Sequence, residues 1–173
     1  MPFLNQPVGD RQTRAALFLF WAMAAIVGTA LMFEHWGGYI PCKLCLEQRL
    51  PYYLGMPAMV VAGYGAGLEW PACVRRGALL IGGVLMAYGM LLGAYHAGVE
   101  WALWAGPADC VAVAGAPETG GKGVLDAIDA FVPPSCDKAA WRMFGLSFAG
   151  WNVPVSLVLA VIALRSAIGA RSE

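Results

Sequence analysis

The apolar positions of this chain are gathered into four unbroken blocks rather than scattered at strand or amphipathic-helix spacing. Residues 15–33, 50–68, 77–99 and 145–164 contain no Asp, Glu, Lys or Arg. Their lengths of 19, 19, 23 and 20 residues match the roughly 20 helical residues needed to cross a hydrocarbon core about 30 Å thick. A helix in a soluble core is seldom apolar on every face for so long. The pattern predicts an all-α membrane protein, a four-transmembrane-helix bundle forming one integral membrane domain over residues 1–173. The connections at 34–49 and 69–76 are short enough to favour antiparallel neighbours. Pro57 and Pro154 lie inside spans and predict kinks whose freed carbonyls the rest of the bundle must satisfy. Gly63 with Gly67, and Gly89 with Gly93, are small-xxx-small pairs that let helices approach closely.

Arg11 and Arg14 ahead of the first block give it the look of a secretory leader. Its apolar run is longer than a leader's, and no small-x-small cleavage pattern follows before Glu34, so the span is expected to be retained.

Composition supports the membrane class. Hydrophobic residues make up 60% of the chain and charged residues 13%, against roughly 25% charged in a soluble domain, and the mean hydropathy is +0.63. Eleven Lys and Arg balance eleven Asp and Glu, which excludes both a basic nucleic-acid footprint and an acidic disordered tail. Sorted by side, the same charges predict a topology. Six cations (Arg11, Arg14, Arg75, Arg76, Arg165, Arg171) and three acids share a side with the termini and the 69–76 connection, net +3. The other side holds five cations (Lys43, Arg49, Lys122, Lys138, Arg142) and eight acids, net −3. Cations concentrate on the cytoplasmic side, so both termini are expected in the cytoplasm and the loops at 34–49 and 100–144 outside.

The 45-residue outer loop is long for a connector. Val124, Leu125, Ile128, Phe131 and Val132 fall on one helical stripe, with Asp126 and Asp129 off it, between Gly123 and Pro133. This predicts a short amphipathic helix, lying either in the membrane interface or on the other outer loop.

Topology sorts the five cysteines. Cys42, Cys45, Cys110 and Cys136 fall outside, where disulfides form and persist, and Cys73 falls inside as a plain reduced thiol. Cys42-Lys43-Leu44-Cys45 is a C-x-x-C at the outer mouth of the second span. A helix N-terminus with Lys43 and Arg49 nearby favours a thiolate there, and the thiolate is the nucleophile of disulfide exchange. Redox chemistry is the leading reading, beside half a zinc site or a simple staple. Cys110 and Cys136 would close a loop of about 26 residues, worth about 3–4 kcal/mol as a staple. Their tethers to the third and fourth spans, 11 and 9 residues, also reach about 30 Å, enough to meet the C-x-x-C. A zinc site built from all four is disfavoured, because neither Cys110 nor Cys136 has a ligand two to four residues away.

Electrons arriving at a C-x-x-C on a membrane edge need an acceptor. The chain has no G-x-G-x-x-G after a strand and no C-x-x-C-H, so a lipid-soluble quinone held between helices fits best. Arg49, four residues after Cys45, is placed to offer its guanidinium to a quinone oxygen or to the thiolate, or to snorkel at the boundary. His96, near the outer end of the third span, lies at similar depth and is a candidate quinone ligand, or an interfacial histidine on a backbone carbonyl. Trp36, Trp101, Trp104, Tyr39, Tyr52 and Tyr53 read as the aromatic belt of the outer interface, without chemistry.

Several stretches resemble the disulfide bond formation protein B (DsbB) family: PCKLCLEQRLPYY at 41–53, YHAGVE at 95–100, WAGPADC at 104–110, SCD at 135–137 and WRMFGLSFAGWN at 141–152. The resemblance implies a bacterial inner-membrane oxidoreductase that reoxidises a DsbA-like periplasmic thiol oxidase with a quinone, ubiquinone or menaquinone. It further implies that Cys110 and Cys136 form the loop disulfide that accepts electrons from the partner. Cys42 and Cys45 would form the second disulfide, with Cys45 beside the quinone and Arg49 supporting quinone binding. Spacing alone would make Cys42 the exposed attacking thiol, so the placement of Cys45 rests on the resemblance. A vitamin K epoxide reductase-like protein carries its C-x-x-C late in the chain, whereas here the C-x-x-C precedes the loop pair. A non-enzymatic membrane scaffold or metal-binding protein with structural cysteines is the alternative outside the enzymes.

Overall fold

A computed structural model describes residues 8–65, 67–107, 110 and 136–169. The amphipathic segment expected around 124–132 lies outside these residues. Five helices follow one another in the described chain: α1 (Asp10–His35), α2 (Lys43–Glu47), α3 (Leu50–Tyr64), α4 (Ala72–Glu100) and α5 (Phe148–Ile168). A two-residue hairpin, β1 (Arg142–Met143) against β2 (Leu146–Ser147), turns the chain into α5. Helices α1, α4 and α5 are long and apolar enough to cross a membrane, which makes this a multi-pass membrane protein. Helix α3 has only 15 residues, about 22 Å of rise.

The helices run past the apolar blocks wherever polar residues can pair. Helix α1 begins at Asp10 because Gln12 Oε1 accepts from the Gly9 amide at 2.9 Å, while Thr13 Oγ1 donates back to the Gly9 carbonyl. Helix α3 stops short of Leu68 at Gly65, whose amide closes the last turn on Val61. Helix α4 starts at Ala72 and takes in Arg75 and Arg76, which the sequence placed in a solvated connection. Both are buried. Arg75 Nε donates to the Ala62 carbonyl and Nη2 to Thr13 Oγ1, and Arg76 Nη1 donates to the carbonyls of Ala167 and Gly169. These cations sit on the carbonyl ends of α3 and α5, where unsatisfied C=O groups and the helix dipoles favour positive charge.

The core runs along the bundle axis. Ala16, Leu19, Met23 and Val27 form one stripe of α1 at helical spacing and meet Tyr52, Met59 and Ala62 of α3, Leu79 and Met86 of α4, and Leu159, Ala163 and Ala167 of α5. The outward faces are apolar as well, with Phe18, Trp21, Leu54, Ile81, Leu91 and Val158 exposed, as expected where lipid rather than water is the solvent. Helices α4 and α5 share the largest interface. Glycine makes that approach possible, since a Cβ on Gly83 would lie 2.7 Å from the Leu164 side chain. Of the expected glycine pairs, Gly89 and Gly93 face α3 and α5, and Gly63 faces Leu17 of α1. Gly67 meets nothing closer than 3.8 Å.

Candidate active site

Cys42 is the N-cap of the five-residue α2, and its sulfur accepts from the Cys45 amide at 3.4 Å. One turn of helix therefore brings the two sulfurs to 2.9 Å, both as free thiols, a small rotation away from the 2.0 Å of a disulfide. Cys110 and Cys136 are joined, with their Cα atoms 5.8 Å apart. The two pairs meet in one buried cluster with Leu44 and Val99. Cys42 Sγ, Cys136 Sγ and a ring nitrogen of His96 all lie within 4.8 Å of one another. Exposed Cys73, at the start of α4, takes no part.

Within the inner pair the thiols differ. Cys42 is held well below the ordinary thiol range, first because the Cys45 S–H donates to it, with a further contribution from the His96 ring, and against the cost of burial. Cys45 is pushed well above that range, because it is the donor and because it is buried. Cys42 is thus the thiolate of the pair.

Cys45 lines a cavity of about 400 Å³ between α1, the α2–α3 corner and the start of α5, a volume typical of small-molecule sites. Ile26, Phe33, Tyr39, Phe148 and Val155 supply apolar wall, and the polar lining includes Cys45, Gln48, Arg49, Glu34, Tyr52 and Asn152. Phe148 packs on Phe33 and stacks on Trp141, with centroids at 5.0 and 5.2 Å. Arg49 Nη1 is bonded to Glu34 Oε2 at 2.6 Å. Cys45 and Arg49 thus line the same cavity, with Glu34 at the end of α1 as the ion-pair partner of Arg49.

His96, named above as a candidate quinone ligand, stands apart from this cavity. It does not line the cavity; α4 carries it behind the C-x-x-C, 2% exposed, with Nε2 at 3.7 Å from Cys42 Sγ. Tyr52 departs from the aromatic belt. Its hydroxyl donates to Asn152 Oδ1 at 2.6 Å and lies 2.8 Å from Ser156 Oγ, with the ring buried in the core. Tyr39 lines the cavity, while Trp36, Trp101, Trp104 and Tyr53 remain exposed as expected.

The residues missed by the sequence reading are Gln48, Asn152, Glu34 and Glu100. Asn152 Nδ2 donates to Gln48 Oε1 at 2.8 Å across the space left by Gly93, and Gln48 Nε2 donates to His96 Nδ1 at 2.7 Å. Glu100 accepts from Ser147 Oγ and stands 3.8 Å from His96 Nε2. A polar residue inside an apolar span, such as Asn152, was the available signal.

Comparison with known proteins agrees with this arrangement. The family model described as disulfide bond formation protein DsbB matches residues 12–165. A disulfide bond formation protein B of Pasteurella multocida is 29% identical over 163 residues, covering 86% of this chain and 84% of its own. Disulfide bond formation protein B 2 of Pseudomonas aeruginosa is 28% identical over 191 residues, covering 99% of both chains. The protein of that name from Aromatoleum aromaticum is 28% identical over 161 residues, covering 88% of this chain and 90% of its own. No solved structure matches the chain. With its family model spanning α1 to α5, the chain belongs to the DsbB family and is a membrane oxidoreductase of disulfide bond formation.

Proposed function

We propose that the chain is a thiol:quinone oxidoreductase of the bacterial inner membrane, drawing electrons from a reduced thioredoxin-fold, DsbA-like oxidase in the periplasm. The observation that carries this reading is the position of the C-x-x-C between two partners. Cys42 Sγ lies within 4.8 Å of Cys136 Sγ in the outer pair, and Cys45 opens onto the cavity.

A thiolate of the reduced oxidase attacks Cys110, forming a mixed disulfide and releasing Cys136. The oxidase's second thiolate then closes its own disulfide and frees Cys110. With the inner pair oxidised, Cys136 attacks Cys42 and expels Cys45, after which Cys110 attacks Cys136 and expels Cys42. Two electrons have then moved from the outer to the inner pair, which is the state described here: Cys110 bonded to Cys136, Cys42 and Cys45 reduced. The low-lying thiol of Cys42 makes it the better leaving group in that last step. A bound quinone supplies a two-electron, two-proton acceptor. The cavity suits such a group, having apolar walls for a ring and tail and the Arg49 guanidinium as a donor for a carbonyl oxygen. Loss of two electrons from the pair and of the one thiol proton on Cys45 would restore the inner disulfide, the acceptor drawing its second proton from solvent.

The chain acts as one membrane domain with both termini cytoplasmic. Helix α3, packed between α1 and α4, serves as the fourth crossing. Purified protein is expected to reduce a short-chain quinone with a reduced thioredoxin-fold oxidase as donor, and Cys45→Ser to abolish that turnover. Undiminished turnover in Cys45→Ser would overturn the assignment.

A further inference from the structure

The buried chain of amides behind the C-x-x-C has a direction. Gln48 Nε2 donates both to the Leu44 carbonyl (3.3 Å) and to His96 Nδ1 (2.7 Å), while its Oε1 accepts from Asn152 Nδ2. Asn152 Nδ2 also donates to the Gly89 carbonyl at 3.4 Å, and its Oδ1 receives the hydroxyls of Tyr52 and Ser156. Turning either amide over would set a carbonyl oxygen against a backbone carbonyl, an acceptor facing an acceptor in a buried site. Two backbone carbonyls therefore anchor the orientation of both side chains. A primary amide nitrogen can only donate, so His96 Nδ1 must accept and the ring proton must sit on Nε2. Among the described residues two groups face that proton besides Cys136 Sγ, which lies within 4.8 Å but is already bonded to Cys110. Cys42 Sγ, at 3.7 Å, is within reach for a sulfur acceptor, whereas Glu100 Oε1, at 3.8 Å, is beyond hydrogen-bond range for oxygen and its carboxylate is engaged by Ser147.

We propose that Gln48 is a positioning residue that holds His96 in its Nε2–H tautomer, so that the ring serves Cys42 as a neutral hydrogen-bond donor rather than as an imidazolium counter-ion. This rests on the relay proposed above, in which Cys42 leaves as a thiolate. A neutral donor steadies that thiolate without adding a buried cation beside it. The titratable groups around the pair are Glu100 on α4 and Cys45 on α2, with Tyr52 of α3 reached through Asn152. Cys136 is locked in its disulfide.

The chain has only two histidines, and His35 is exposed on α1, so ¹⁵N-histidine spectra of the full-length protein in detergent can be assigned with His35→Asn. Native His96 is expected to show one protonated nitrogen, Nε2, and one unprotonated, Nδ1. In Gln48→Glu the new carboxylate calls for a donor at Nδ1, and both nitrogens become protonated. In Gln48→Leu the preference is released and the tautomers mix. The pH at which Cys42 becomes alkylated, with the outer disulfide intact, should fall in Gln48→Glu and rise in Gln48→Leu. Each shift is expected to be about one pH unit, a tenfold change in thiolate at fixed pH. A merely structural glutamine would move both variants the same way. Native His96 protonated at Nδ1, or variant shifts of the same sign, would overturn the proposal. None of these readouts uses a quinone, so failure of quinone reduction would overturn the proposed activity and leave the tautomer standing.

Discussion

Loss of activity on changing Arg49 would have two sources, and a double-mutant cycle with Glu34 separates them. Arg49 and Glu34 share a 2.6 Å charge-assisted bond with side chains only 13% and 28% exposed. A fully exposed pair contributes about 0.2–1 kcal/mol, whereas stripping one partner from a fully buried pair costs about 3–5 kcal/mol. This pair lies between those limits. Glu34 also stands in the last turn of α1, where an unpaired carboxylate is opposed by the carbonyl end of the helix. Arg49→Met is therefore expected to destabilise the protein by about 2–3 kcal/mol. Glu34→Gln, whose amide oxygen can still accept, should cost about 1–2 kcal/mol. In the double variant the second change should add little, leaving a coupling of about 1.5–2 kcal/mol. Denaturant titration of the four proteins in one detergent measures the cycle, and KM for a short-chain quinone measured alongside reads the other role. The double variant should be about as stable as Arg49→Met and should not regain the native quinone KM. Stabilities that add to within about 0.5 kcal/mol would refute the ion pair, and a restored KM would refute a direct role for Arg49 at the cavity.

Two further outcomes are expected. Because the Cys42 thiol is lowered and that of Cys45 raised, Cys42 should stay alkylatable as the pH falls below the ordinary thiol range while Cys45 is unreactive. Removing the largest donor with Cys45→Ala should raise the onset for Cys42 by about 1–2 pH units, the equivalent of one hydrogen bond to a charge; identical pH profiles by mass spectrometry would contradict the asymmetry. In the α4–α5 interface, Gly83→Ala puts a methyl 2.7 Å from Leu164, whereas on Gly89 the nearest atom is 3.5 Å away. The first should lose about 1–3 kcal/mol to overpacking and the second gain about 0.5–1 kcal/mol from the stiffer backbone, and the reverse order in thermal unfolding would refute the packing argument.

The spans at 15–33, 77–99 and 145–164 reappear as α1, α4 and α5, displaced at their ends by a few residues, because polar side chains such as Gln12 and Arg76 found hydrogen-bond partners that extend the helices beyond the apolar blocks. The C-x-x-C and Arg49 were legible because their spacing along one short segment is itself the chemistry. His96 and Tyr52 were misplaced because their depth was readable and their direction was not. No α4 residue lines the cavity, and His96 instead meets Cys42 from behind the C-x-x-C.

The sequence by itself determined the membrane class and the number of apolar blocks, and its flanking charges predict that four of the five cysteines share one side. Partition into hydrocarbon is a sum over consecutive residues, and topology follows from counting charges next to those sums. Only the tertiary structure decided which cysteine faces the cavity, that Glu34 holds Arg49, and that Gln48 and Asn152, 104 residues apart, form one directed chain to His96. Those outcomes depend on how the helices rotate and how closely they pack, and a hydrogen-bond direction exists only once donor and acceptor have been brought within 3 Å or so of each other.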